Sequence, residues 1–132
     1  SHTRKRSRNE CRKMSEQDLP IFIKWIDLLK WLLRTTEKFP KKVRFTFSDR
    51  INHLALDVVE CLVEARYSKQ KYLLLKRVNL HLEKIRVLLR ISYEEKYLPH
   101  KGYERSIVLI NEFGRMLGGW IKQQEGKNEE SR

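Results

Sequence analysis

Apolar residues recur every three or four positions along most of the chain, and glycine and proline interrupt that pattern sparsely. This is the helical period; a half-buried strand would alternate every second residue. Four helical segments and no sheet are predicted. The first covers about 16–38, with Phe22, Trp25, Ile26, Leu29, Leu32 and Leu33 as its apolar stripe and Lys24, Asp27, Lys30 and Arg34 off it. Phe39-Pro40 ends it, because a residue before proline is disfavoured in the α region. Ser48 is the expected N-cap of a second helix over 49–67, whose stripe is Ile51, Leu54, Ala55, Val58, Cys61, Leu62 and Ala65. The third segment, 71–96, carries Leu75, Val78, Leu82, Ile85 and Leu89 in the alternating spacing of a bundle seam. Leu98-Pro99-His100-Lys101-Gly102 reads as a turn, and a fourth helix over 103–124 presents Tyr103, Ile107, Ile110, Gly114, Leu117 and Ile121. Four comparable helices with short links predict an all-α, antiparallel, up-down-up-down four-helix bundle.

Three of the chain's five glycines fall inside the last helix, within Asn111-Glu112-Phe113-Gly114-Arg115-Met116-Leu117-Gly118-Gly119-Trp120. Each costs a helix interior about 1 kcal/mol relative to alanine. Gly114 and Gly118 are one turn apart, so they are expected to let a neighbouring backbone approach closely. Trp120 and Ile121 resume the apolar pattern beyond them, which predicts that the helix continues rather than frays at Gly118-Gly119.

Apolar residues also exceed what one internal core can use. Leu73, Leu80, Val87 and Ile91 lie on the far side of the third helix from its seam. Ile23 and Trp31 on the first helix, and Leu56, Val59 and Val63 on the second, widen the apolar surface further. Self-association is the expected destination of this surplus.

Charge alters this picture. The net charge is +12, with 29 Lys and Arg against 17 Asp and Glu. Arg4, Lys5, Arg6, Arg8, Arg12 and Lys13, set against Glu10, account for part of it, and the other 119 residues still carry +7. A polyanionic partner is implied. Residues 1–14 read as a basic flexible tail or cloning remnant, with Ser1-His2 as the remnant and Met14 as a candidate start. Residues 15–124 read as the bundle domain and 125–132 as a disordered C-terminal tail. There is no apolar run long enough for a membrane span, and no apolar stretch behind the first charges to make a secretory leader. Cys11 and Cys61 are not placed to form a useful disulfide, so a reduced, cytoplasmic setting is expected.

Little catalytic chemistry is visible. The histidines are His2, His53, His81 and His100, with no HExxH, no paired CxxC and no phosphate-cradling glycine loop. His53, Asp57, Glu60 and Glu64 share a face of the second helix at metal-ligand spacing, but that face is opposite the core and reads as a solvated or subunit-pairing acidic stripe. No metal, cofactor or catalytic residue is expected. Arg77 and His81 are similar to the Arg…His pair of HEPN ribonucleases, although three residues separate them here and the family places four to six between. Basic groups carry more. Lys41, Lys42 and Arg44 alternate with Phe39, Val43 and Phe45 in the first linker, as on a strand-binding surface. Arg86 and Arg90 form a two-rung ladder beside the third helix's seam, where a guanidinium fork suits phosphate; pairing with Glu83 or Glu94 is the alternative.

These residues carry a family resemblance. Ile110-Asn111-Glu112-Phe113-Gly114-Arg115-Met116-Leu117-Gly118-Gly119-Trp120-Ile121 and Leu82-Glu83-Lys84-Ile85-Arg86-Val87-Leu88-Leu89-Arg90 resemble Avd, the accessory variability determinant family of diversity-generating retroelements. Pro40-Lys41-Lys42 is a weaker third match. The resemblance covers about 15–124 and extends to four-helix proteins encoded in ribosomal RNA intervening sequences. It implies a non-enzymatic four-helix bundle assembling as a homopentameric barrel. Its partners would be a reverse transcriptase and nucleic acid, both template RNA and DNA copy, in support of mutagenic reverse transcription, with no membrane. Carried over, Arg86 and Arg90 would contact RNA or the polymerase, supported by Lys41, Lys42 and Arg44. Gly114, Arg115, Gly118, Gly119 and Trp120 would be structural. A helical protein-binding adaptor is the alternative reading, and a HEPN-like ribonuclease a third.

Overall fold

The computed structural model describes residues 18–130 and the side chains of 19–127, and the described residues are helical apart from short connections. The helices are α1 (Asp18–Glu37), α2 (Asp49–Tyr67), α3 (Lys71–Glu94) and α4 (His100–Glu130). The expected tail at 1–14, and Cys11 within it, lie outside the described residues.

Neighbouring helices run antiparallel, as their cross-links show. Trp25 of α1 meets Ala55 of α2, while Thr36, later on α1, meets Asn52, earlier on α2. On α3 and α4, Arg86 reaches Asn111, whereas the earlier Tyr72 reaches the later Glu125. α1 also packs on α4, which closes the set into a bundle.

The predicted stripes of α2 and α3 are the observed core: all seven expected residues of α2 and all five of α3 are buried. On α1 the buried side is turned from the expected one. Ile21 and Leu28 are buried with Trp25, Leu29 and Leu32, whereas Leu33 is exposed and Phe22 and Ile26 are half-buried. α4 is turned similarly, burying Phe113 and Trp120 beside Ile110 and Leu117 and leaving Ile107 exposed. The two turns share a cause, because Trp25 and Phe113 pack with ring centroids 4.7 Å apart and planes tilted by 53°, and so anchor α1 to α4. The Trp25 indole N–H, shut away from water, donates to the Ala55 carbonyl at 2.9 Å, as a buried donor must find an acceptor.

Several boundaries differ from expectation. Ser48 does not cap α2: it has helical dihedrals, ends a π-helical turn (Arg44–Ser48), and its hydroxyl donates to the Thr36 carbonyl at 3.1 Å. It thereby adds a second bond to a carbonyl at the end of α1 that also accepts from the Phe39 N–H at 3.1 Å. α3 stops at Glu94 rather than 96, closed by Lys96 in the left-handed region (φ 66°) while the Tyr97 N–H returns to the Ser92 carbonyl at 2.8 Å. α4 begins at His100, inside the expected turn. Gly102 is its third residue, and a Cβ there would lie 2.8 Å from the Leu98 side chain that folds over the helix start. α4 also runs through Gly118, Gly119 and Gly126 to Glu130, past the expected end at 124.

Candidate nucleic-acid interface

The packing of α3 on α4 sets the surroundings of the arginine ladder. Arg86 stands on the α4 side of α3, and its Nη1 donates to Asn111 Oδ1 at 2.8 Å. Its Nη2 lies over Gly114, where a Cβ would come within 3.4 Å of it and 3.8 Å of Leu82. Arg86 Nε is closed off from water, 3.2 Å from Glu83 Oε1 but out of line for a hydrogen bond. The glycine run and the arginine ladder, distant in sequence, therefore meet here, with the guanidinium lying over α4 at Gly114 at a distance that leaves a Cβ ordinary contact.

Arg90, one turn on, is unlike Arg86. Its side chain is 72% exposed and, among the described residues, is held by Glu94 alone, its Nε donating to Oε1 at 3.1 Å. Between the two arginines and α4 runs a groove of about 240 Å³, walled by Val87, Leu89, Tyr103, Ser106, Ile107 and Ile110. A second, wider groove of about 600 Å³ lies across the Val87 ridge toward α2, with Arg50 and Lys84 among its walls.

The linker cations lie at the same end of the bundle as Arg90. Phe39 is buried, Phe47 is half-buried, and both rings pack on Tyr97 in the α3–α4 connection, at 6.3 and 5.6 Å. Lys42 Nζ sits 6.0 Å from the same tyrosine ring, at the reach of a cation–π contact, and Lys41 is exposed beside it. Phe45 projects into solvent at 82% exposure. The aromatics of the linker thus divide, two serving the bundle end and one left outside. Arg44 is exposed but belongs to a different hollow, between α1 and α2, with Glu37 and Asp49.

The remaining motif residues separate as well. Trp120 is buried, and the Arg86 side chain lies over Gly114. The close approach expected at Gly118 is not found within the chain: a Cβ there, as at Gly119, would meet nothing within 4 Å. Arg115 is exposed on α4, where its charge adds to the field that holds the Glu112 carboxyl below its ordinary range. The chief cause of that depression is the hydrogen bond and ion pair with Lys24, which ties α4 to α1.

Arg77 and His81 both face α2. His81 Nδ1 donates to the Arg77 carbonyl at 2.8 Å, and its Nε2 faces Asp57 of α2 at 3.8 Å. Burial pushes the Cys61 thiol up, and the nearby Arg77 guanidinium pulls it back. Both residues are thus engaged in the α2–α3 seam. Among the described residues, no three His, Cys, Asp or Glu groups come together to hold a metal ion, and no helix is long and apolar enough to cross a membrane.

Sequence reasoning did not identify Asn111 as the residue that fixes Arg86, or Tyr97 as the ring that organises the linker. Asn111 sits three before Gly114 and so on the same helix flank, which was the available signal. No curated protein matches the chain significantly. A family model described as bAvd-like matches residues 19–124, which takes in all of α2 and α3, the α1 core and α4 through its glycine run. The chain belongs to the bAvd-like family, bacterial Avd.

Proposed function

We propose that this chain is a non-catalytic accessory protein of a diversity-generating retroelement, acting in the cytoplasm. It binds the element's reverse transcriptase together with template RNA and its DNA copy, and so supports mutagenic reverse transcription. Family membership over 19–124 carries this reading. The distribution of charge supports it, since Arg90, Lys41 and Lys42 gather cations at one end of a chain of net charge +12. Phosphate neutralisation then supplies most of the nucleic-acid affinity, with little base preference. Arg86 shapes the inner wall of the site, Arg90 and the two lysines make its outer contacts, and Arg44 contributes from the neighbouring hollow. Self-association into a homopentameric barrel is part of the same proposal, because Leu56, Val63, Leu73, Leu80 and Val87 remain exposed on the isolated chain.

The test is co-elution of the full chain with a retroelement reverse transcriptase and its template RNA. Wild-type protein is expected to enter a ternary complex, and Lys41→Ala/Lys42→Ala/Arg90→Ala to lose RNA while keeping its fold. An unaltered complex from the triple variant contradicts the assignment of these cations. Binding of the polymerase with no RNA contribution, by either protein, favours the protein-binding adaptor instead.

A further inference from the structure

The outward faces of α2 and α3 differ in charge but share a spacing. Leu73, Leu80 and Val87 are 61%, 54% and 57% exposed, and no described element covers them. They stand seven residues apart, so they form a nearly straight line along α3 with steps of about 10.5 Å. On α2, Leu56 and Val63 are 45% and 44% exposed and are also seven apart, with Tyr67 continuing the line at 71%.

The flanking charges are opposite. Along the middle of this line α2 carries Asp57, Glu60 and Glu64, with Arg50 and Arg66 at its two ends. Asp57 faces His81, but Glu60 and Glu64 have no cationic partner at ion-pair distance among the described residues. Beside the α3 stripe, Glu83 and Glu94 are taken up by Arg86 and Arg90. Lys76 and Lys84 are left exposed without a carboxylate partner among the described residues. Lys76 has only the Tyr72 ring, at 6.0 Å.

We propose that copies of this chain join head to tail, the acidic aliphatic face of α2 on one copy seating against the basic aliphatic face of α3 on the next. This rests on the self-association read above and names its interface. Pairing α2 with α2 sets Glu60 and Glu64 against themselves, and pairing α3 with α3 does the same to Lys76 and Lys84, so like charges oppose both symmetric arrangements. Pairing α2 with α3 brings opposite charges together, and the common seven-residue step lets two aliphatic side chains from each copy meet at once. Such a contact uses different surfaces on the two partners, so it closes into a ring or runs on as a filament. Its occupant is a second copy of this chain because that copy already presents the complementary face.

The experiment measures solution mass by light scattering for the full chain, for Glu60→Lys/Glu64→Lys and for Lys76→Glu/Lys84→Glu, at matched concentration and low salt. The wild type is expected to be a multimer and each double variant a monomer with unchanged helical circular dichroism. Mixing the two variants restores a multimer, since each then supplies the face the other lacks. Leu80→Gln alters no charge and gives an independent check, raising the dissociation constant at least about tenfold. Variants that keep the wild-type mass, a mixture that stays monomeric, or a Leu80→Gln chain that assembles normally each overturn this interface. If the wild type is itself monomeric at every concentration, the self-association reading fails and takes the interface with it. A multimeric wild type with indifferent variants removes the interface alone.

Discussion

Arg86 and Arg90 occupy successive turns of α3, yet one is built into the bundle and the other stands on its surface. Arg86 is fixed by Asn111, sits over the bare backbone of Gly114 and has its Nε closed off from water. Arg90 keeps a single carboxylate neighbour and most of its solvent exposure. Their spacing on the helix is that of a repeated ladder, but the facing helix decides what each rung does. α4 offers an amide and a glycine to the first and nothing to the second. A loss of binding on removing Arg86 therefore mixes fold with contact, whereas removing Arg90 tests contact by itself.

The largest effect is expected in the packing beneath Arg86. Leu82→Ala empties a fully buried seam position next to Gly114 and should cost about 2–5 kcal/mol in denaturant unfolding. A cost below about 1 kcal/mol would show that the α3–α4 seam is looser than described. Next comes the contrast itself. Arg86→Ala loses a hydrogen bond across two helices and the cover over Gly114, for an expected cost of about 1–2 kcal/mol. Arg90→Ala, which breaks only an exposed pair within one helix, should stay within about 0.5 kcal/mol of wild type. Equal costs at the two sites would erase the distinction.

The glycines sharpen it further. Gly118→Ala and Gly119→Ala add a Cβ into open space and should each stabilise the chain by about 0.5–1 kcal/mol, read as a rise in unfolding midpoint. Gly114→Val, by contrast, should dislodge the Arg86 guanidinium from Asn111, visible as a shifted Asn111 side-chain amide resonance. The smallest effect concerns the α1–α4 tie. Because Glu112 titrates below its ordinary range in the fold, its pair with Lys24 adds stability above the unfolded carboxylate value. That contribution is lost as pH falls through the depressed folded value. Lys24→Met should therefore lower stability at neutral pH and flatten the acid limb of the stability–pH curve.

The same contrast explains what was legible in the sequence. α2 and α3 each carry an unbroken 3–4 seam, and every predicted core residue there is buried, while their surplus apolar residues stay on the outward face. α1 and α4 carry apolar residues around more than half their circumference, so the period alone did not choose between Leu33 and Leu28, or between Ile107 and Phe113. The Trp25–Phe113 contact made the choice, and it joins residues far apart in the chain. Ser48 had the chemistry of a cap, but the π turn before α2 gave it helical dihedrals and a different acceptor. Gly114 was readable as a position under a neighbour, which proves to be the Arg86 side chain. Gly118 was misread, since the flank it presents meets nothing within the chain. The cations were readable as types and positions. The commitment of Arg86 to Asn111 depended on the register of two helices.

The account turns on Arg90, Lys41 and Lys42 as contacts to phosphate, and salt dependence tests that most directly. Affinity for a single-stranded RNA would be followed against salt for the wild type and for Lys41→Ala/Lys42→Ala/Arg90→Ala. If these side chains neutralise phosphates, the triple variant binds more weakly and its log–log slope is shallower by about two, with the unfolding midpoint unchanged. A slope and affinity equal to the wild type's would place the nucleic-acid surface elsewhere on the bundle.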